Sequence, residues 1–468
     1  MTRVLLTTPP EPLFSPFYTS EKAIPIGLAY LAEVLQRAGH RVDVFDNYLE
    51  PTALWNSPGL RFEEIDIVGI HANTICADGV ARIASFFQHL REKKLFRGRI
   101  AIGGPMTSVS RNQFPSWIDH VVEGEGEAAV SKIADGESAR HLRDYSTGSK
   151  TLDDLPLPGF ENFLHLPYSW SSSWLPGRRV INLNTSRGCP FNCSFCSVQC
   201  IWGKRYRALS PSRIMEWIHL VKSKGFDGVY FREDNFTLNR KRTIGFCEAM
   251  LRENVPVEWI CESRVDSLDE ATIALMSRAG CKAIYVGVEA GSDESLAYLK
   301  KGETTGQFSR AFGWFRRHGI RTYASFIIGY PGSTPEDDQR AVEFGQKLKA
   351  DYLGYNVFVG VPFSELYHEA LARNLVDFRD YRGLLYLQGH NRRVLKHYGI
   401  RALWRLGLNP LVRAHSAWQQ HLGWSPQART SVESWVQALS RQLPSNVSLA
   451  SRIKSKLTRG VNVISRQG

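Results

Sequence analysis

No hydrophobic run in this chain approaches the ~18 residues that a helix needs to cross a bilayer, which excludes a membrane-spanning helix as its organising feature. The start, Met1-Thr-Arg-Val-Leu-Leu, runs into Pro9-Pro10 with no cleavage site, so no signal peptide is expected. Cysteine is scarce, eight in 468 residues, and not patterned as a secreted disulfide framework. The expected compartment is therefore the reducing cytoplasm. Acidic residues almost vanish at one end: residues 381–468 hold 14 Lys and Arg against one acid, Glu433. The net charge of +12 thus belongs to one region and to one task. No RNA-binding module is recognisable, and nucleic acid is not an expected partner.

Three of the eight cysteines stand together in Cys189-Pro-Phe-Asn-Cys193-Ser-Phe-Cys196. Three thiolates can hold three irons of a [4Fe–4S] cube and leave the fourth open to a small molecule. The spacing is neither the paired Cys-x2-Cys of structural zinc nor the four-cysteine run of bacterial ferredoxins. Zinc with Cys200 as a fourth ligand is the alternative reading. Val180-Ile-Asn-Leu-Asn-Thr-Ser alternates like a strand, and Arg187-Gly188 turns the chain into the cysteine loop. Cys76, Cys247, Cys261 and Cys281 are scattered and read as buried thiols. The loop resembles the signature of the radical S-adenosylmethionine (SAM) superfamily, Cys-x3-Cys-x-aromatic-Cys, with Phe195 in the aromatic place. The resemblance makes Cys189, Cys193 and Cys196 the catalytic cluster ligands.

Strands and helices alternate on both sides of this loop, which predicts an α/β protein. Residues 1–135 read as a doubly wound domain, with strands at Val4-Leu-Leu, Val42-Asp-Val-Phe, Ile67-Val-Gly-Ile and Ile100-Ala-Ile-Gly. This part looks like the cobalamin-binding domain that precedes the cluster domain in cobalamin-dependent radical SAM enzymes. The matching pieces are Pro9-Pro10, Pro25-Ile-Gly-Leu, Gly39-His40, Gly103-Gly104-Pro105 and Gly124-Glu125-Gly126-Glu127. The resemblance puts Thr74, Gly103, Gly104, Gly124, Glu125 and Gly126 at the cofactor. One piece departs from the cobalamin mutases: no Asp-x-His occurs anywhere, so cobalamin would lack that histidine on its cobalt. His71 is the nearest substitute at a strand end, but reads more readily as a pocket-lining or loop histidine. A domain that has lost its cofactor is the other reading of the whole unit.

Residues 136–174 contain Gly, Ser, Asp and Pro and read as a linker. Residues 175–370 carry six candidate strands with helices between them, an open partial (β/α)6 barrel whose functional residues sit at the strand C-termini. There the resemblance implies SAM contacts. Asp234, with Glu233 as second choice, accepts from the amino group; Arg264 pairs with the carboxylate. Glu289 takes the ribose hydroxyls, and the loop with Gly329 seats the adenine. Alone, each such residue is more often a surface ion pair; the order behind the cysteines makes the case. The last strand carries Val361-Pro-Phe-Ser where relatives often have Pro-Gly-Thr, and substrate analogy stops there.

Residues 371–468 are expected to be a mainly helical basic region. Tryptophans 404, 418, 424 and 435 among its arginines suit an anionic inner-membrane surface, which would make the protein peripheral there. Helices capping the barrel, or an acidic partner, are the other readings. The family resemblance spans residues 1 to about 370 and implies a methyltransferase using a [4Fe–4S] cluster, SAM and cobalamin. Such enzymes cleave SAM to a 5′-deoxyadenosyl radical, take hydrogen from an unactivated carbon and methylate it. The implied partners are a reductant such as flavodoxin or ferredoxin and a small-molecule or lipid substrate, hopanoids among them. Ring formation or oxidation without methyl transfer is the alternative outcome, and a non-enzymatic iron–sulfur carrier the remote one.

Overall fold

A computed structural model describes residues 1–10, 22–49, 54, 60–109, 114–144, 151–380 and 383–398. The first sheet is built from β1 (Arg3–Thr8), β2 (Arg41–Asp46), β3 (Ile67–His71), β4 (Arg99–Gly103), β5 (His120–Gly124) and β6 (His141–Asp144). All are parallel, in the order β2-β1-β3-β4-β5-β6. The order reverses between β1 and β3, which opens a crevice at their carboxyl ends. Helix Ala77–Glu92 covers one face because Val80, Ile83, Ala84 and Phe87 recur at helical spacing and are all buried. Helix Ile26–Arg37 covers the other.

The second sheet holds β7 (Val180–Leu183), then, past the two-residue clasp of β8 (Ser186–Arg187) and β9 (Arg207–Ala208), β10 (Gly228–Phe231), β11 (Glu258–Ser263), β12 (Cys281–Glu289), β13 (Arg321–Ile328) and β14 (Tyr352–Val357). Its order is β14-β13-β12-β11-β10-β7, all parallel. The two edges do not pair, so the barrel is open, as the alternation of elements predicts. Pleating sends Val229, Phe231, Trp259 and Val286 outward to the helices. Tyr230, Glu262, Tyr285 and Tyr323 alternate with them and line the lumen. Trp174 plugs the base, its ring 4.8 Å from Tyr352 and 5.9 Å from Tyr323.

One apolar core runs through both units: Val4, Leu28 and Tyr30 belong with Trp217, Phe231 and Trp259. The segment expected to be a bare linker is part of it. Leu152, Leu155, Phe160 and Phe163 are buried there, and His141–Asp144 adds a sixth strand to the first sheet. The Gly, Ser and Pro of this stretch mask apolar residues spaced too irregularly to read as an element.

Past the barrel, the expected helices begin instead with a hairpin, β15 (Val376–Arg379) with β16 (Leu385–Leu387), followed by helix His390–Tyr398. Residues 399–468, with the four tail tryptophans, lie outside the described residues. Among the described residues no helix is long and apolar enough to cross a membrane.

Candidate active site

The cysteine loop hangs from the clasp. Gly188 has φ +86°, and a Cβ there would overlap the Arg205 carbonyl, so only glycine makes the turn. Ser194 donates its N–H to the Leu299 carbonyl at 3.0 Å, and its own carbonyl accepts from Leu366 N at 2.9 Å. Gln199 Nε2 holds the Phe191 carbonyl at 2.6 Å. Cys189 and Cys193 are partly buried and Cys196 is exposed at the loop's rim. Burial pushes all three thiols up, Cys196 to about 12, and Cys196 feels the charges of the other two. Among the described residues no three ligating side chains converge on a single ion. Phe195 packs on the main core and braces the loop.

Glu233 and Asp234 follow β10 and part ways. Glu233 is buried, and Thr185 donates to its Oε1 from N at 3.1 Å and from Oγ1 at 2.6 Å. Ser186 Oγ donates to Oε2. Glu233 therefore pins the strand end that leads into the cluster loop, and its expected role as second acceptor for SAM is filled by these bonds. Asp234 makes no such bonds among the described residues and stays open to the site. Asp234 is solvent-exposed, yet neighbouring protein partly desolvates its carboxylate, and that, with the charges of Glu262 and Glu233, pushes it up to about 7.

Arg264 is buried beside the cysteines. Its guanidinium carbon stands 3.7 Å over the Phe191 ring, and Nη1 lies 3.9 Å from Cys193 Sγ. Glu289 ends β12 at φ +72°, a left-handed backbone that a bulge against β13 accommodates. A Cβ at Gly287 would overlap the Glu289 carboxylate, so that glycine lets the acid fold back over the strand. Burial pushes Glu289 up, while Lys301, 3.8 Å away, opposes the shift. Gly329 has φ +69° and donates its N–H to Asp338 Oδ1 at 2.8 Å. The stem of Arg393 lies over Gly329 and its Nε reaches Asp338 Oδ2 at 3.2 Å, so the helix His390–Tyr398 lies over the expected adenine loop.

Among the described residues, Ser194 Oγ and Asn235 Nδ2 are buried with no hydrogen-bond partner near this space, and Glu303 Oε2 has only ion contacts, with Lys301 at 3.3 Å and Arg264 at 3.5 Å. Orphans at one site are groups a ligand would satisfy, so the residues present fit SAM at a cluster.

The first sheet brings its carboxyl ends to the same side. His71, Gly103 and Gly124 end β3, β4 and β5, and Thr74 opens the next turn. At Gly104, φ +122°, a Cβ would sit 2.7 Å from the Ala72 carbonyl and 3.2 Å from His71 Cε1, so the backbone is bare there. Burial pushes the His71 imidazole down, against the Asp46 charge, so it stands neutral at the switch-point crevice. Bare glycines on a strand-end ridge suit the flat face of a macrocycle. Gly126 instead packs on the tip of Leu31.

Glu125 is not on that ridge, contrary to expectation. Its side chain is fully buried; Oε2 accepts from Arg187 Nη1 at 2.7 Å, and Oε1 from Arg207 Nη2. Glu127 adds a bond to Arg187 Nη2 at 2.6 Å. These acids join the first sheet to the clasp that carries the cysteines.

Several site residues escaped sequence reasoning. Lys301 and Glu303 sit in a helix–helix loop, Lys300-Lys301-Gly-Glu303, that reads as exposed. Both are buried. In the lumen, Tyr230 Oη donates to Glu262 Oε1 at 2.9 Å, Arg232 stands beside them, and Tyr285 stacks on Tyr323 at 4.5 Å. Strict alternation along β10 to β13 was the signal that could have found them.

Residues 183–345 match the radical SAM superfamily, and residues 19–134 match the B12 binding domain. An uncharacterised methyltransferase of Pyrococcus horikoshii is 30% identical over 396 residues, covering 80% of this chain and 84% of that protein. The anaerobic magnesium-protoporphyrin IX monomethyl ester cyclase of Rubrivivax gelatinosus is 28% identical over 273 residues, 54% of this chain and 49% of its own length. The radical SAM methyltransferase TsrM of Kitasatospora setae, solved with tryptophan and a SAM analogue, superposes with a TM-score of 0.66 at 17% identity, covering 88% of this chain and 89% of that one. That similarity speaks for the fold.

Proposed function

The chain belongs to the radical SAM superfamily, in the group that also carries a B12-binding domain, and from this premise we propose that it methylates an unactivated carbon. It is a cobalamin-dependent radical SAM methyltransferase, and its cofactors are a [4Fe–4S] cluster, SAM and cobalamin. When bound, these supply reductive cleavage of SAM and a transferable methyl group. A reductant such as flavodoxin or ferredoxin provides the electron.

The observation that carries the reading is the Arg187 junction. The acidic loop after β5 grips the arginine two residues ahead of Cys189, so the cobalamin ridge and the cluster loop keep one fixed separation. A reaction that needs both groups at one carbon depends on such a distance. In this reading Cys189, Cys193 and Cys196 hold the cluster, Asp234 accepts from the SAM ammonium, and Glu289 takes the ribose hydroxyls. Thr74, Gly103, Gly104 and Gly124 meet the macrocycle. Glu262, Tyr230 and Arg232 face substrate in the lumen, above the stacked tyrosines. That lining favours an apolar or aromatic skeleton bearing a polar group over a bare hydrocarbon.

A membrane lipid such as a hopanoid is the finer form of this proposal. It rests on the basic, tryptophan-bearing tail; flotation with anionic vesicles at low salt tests it, and no binding removes it. The cyclase relative favours a second reading, ring formation without methyl transfer. Anaerobically reconstituted protein with SAM, a strong reductant and hydroxocobalamin should yield 5′-deoxyadenosine and methylcobalamin by mass spectrometry. Deoxyadenosine alone would refute the methyl-transfer reading.

A further inference from the structure

The open barrel ends at β7, and that edge is covered from inside the chain. Asn182 Nδ2 donates to the Ile24 carbonyl at 3.3 Å, and Val180 N donates to the Trp170 carbonyl at 2.7 Å. Residues 22–24 and 170–172 thus lie against β7 and β10, and a cavity of about 410 Å³, its open mouth included, is left between them. Tyr230 lines both this cavity and the lumen floor beside Trp174, so the two spaces are neighbours.

The walls of the cavity are aromatic and its charge is of one sign. Lys22 and Arg232 are its charged residues, and no Asp or Glu lines it among the described residues. Lys22 Nζ donates to the Tyr48 carbonyl at 2.8 Å and the Leu49 carbonyl at 3.4 Å, which fixes that charge at one side. Trp170 stands at φ +47°, a left-handed backbone that a bulky residue keeps only where its surroundings hold it. Tyr168 and Phe226 hold it, each ring 5.0 Å from the indole. The Trp170 wall is therefore set before any ligand arrives.

Arg232 is fixed at its backbone and free at its tip. Its N–H donates to the Leu183 carbonyl at 3.0 Å, and Asn184 Nδ2 donates to its own carbonyl. Its guanidinium makes no hydrogen bond or ion pair among the described residues, and its carbon stands 5.4 Å from the centre of the Tyr230 ring. Glu262 feels its charge but accepts its hydrogen bond from Tyr230 Oη, at 2.9 Å. A free guanidinium presents two parallel N–H groups, which match the two oxygens of a carboxylate. Arg232 lies two residues before Asp234, so an acid held there ends beside the expected SAM site.

We propose that this cavity receives the carboxylate of the substrate on Arg232, with the apolar body between Trp170 and Tyr230. The substrate class is then an organic acid with an apolar or aromatic skeleton. The proposal deepens the reading above, on which it rests, that the lumen takes the substrate.

The test uses naphthylacetate and naphthylacetamide, which share a shape and differ in charge. Equilibrium dialysis is run anaerobically on the full-length protein with cluster, SAM and hydroxocobalamin bound, so that the cofactor sites are filled. The wild type should prefer the acid by about tenfold, the low end for one charge-assisted contact. Arg232→Gln should lose that preference by weakening the acid alone, and Arg232→Lys should restore part of it. Equal weakening of both probes in Arg232→Gln would make the arginine a structural support and overturn the proposal. So would a wild type that binds neither probe or does not discriminate, or a preference that survives in Arg232→Gln. A preference seen only without SAM and hydroxocobalamin would assign the arginine to a cofactor's own anionic group, and overturns it too. If Arg232→Gln fails to load iron, Arg232→Met is read by the same criteria. Methylcobalamin formation is assayed apart: its absence from a protein that keeps the preference would sink the methyl-transfer reading and leave the acid site standing.

Discussion

Gly188 shows how narrowly one residue constrains the site. A methyl group there meets the Arg205 carbonyl and demands a left-handed backbone, so Gly188→Ala should fold with the cluster loop displaced. Iron incorporation in the variant should fall at least about tenfold, while far-ultraviolet circular dichroism stays native; full iron loading would refute this. Asp234 offers a titration. With its carboxyl pushed up to about 7, the group is neutral below that pH and charged above it, so it accepts from an ammonium only on the alkaline side. SAM affinity should fall about tenfold between pH 8 and pH 6, and Asp234→Asn should bind weakly with no pH dependence over that range. Equilibrium dialysis across that window decides it. The cysteine loop stands out because its spacing is a local feature of the chain. Glu233 and Asp234 were not separable, because adjacent acids look alike until the β7 end supplies Thr185 and Ser186 to one of them.

At the scale of elements, the loop after β5 and the clasp of β8 and β9 form the joint of the molecule. Glu125 has both oxygens on arginines, and the Arg187 guanidinium also lies 5.2 Å over the Tyr30 ring. Removing one member of such a buried set leaves a charge without compensation, at a cost of about 3–5 kcal/mol. Glu125→Ala should therefore lower the urea midpoint by that equivalent and weaken SAM cleavage at unchanged iron content. Unaltered stability would show the joint to be replaceable. The sequence reading placed Glu125 at cobalamin, since a Gly-Glu-Gly-Glu run after a strand resembles a cofactor loop. Its arginines lie more than 60 residues downstream, and nothing local announces them. The β12 bulge is similar: Glu289 reads as an ordinary strand-end acid, and only pairing with β13 puts it in a left-handed backbone.

For the whole molecule, two parallel sheets with a continuous apolar core predict separable cofactor binding on a shared frame. Cys193→Ala should abolish 5′-deoxyadenosine formation and leave cobalamin binding, read from its visible spectrum, intact. Persistent deoxyadenosine would contradict the cluster assignment. The sequence by itself determined the class of the two sheets, the cluster loop and the order of the strand-end motifs. Strand periodicity, glycine turns and ligand spacing are local properties, set by backbone sterics within a few residues. Only the tertiary structure decided which acids are tied to the frame, that Lys301 is buried, and that the Gly- and Pro-rich stretch adds a strand. Those outcomes depend on contacts between residues distant in the chain, where burial and charge pairing, not spacing, select the partner.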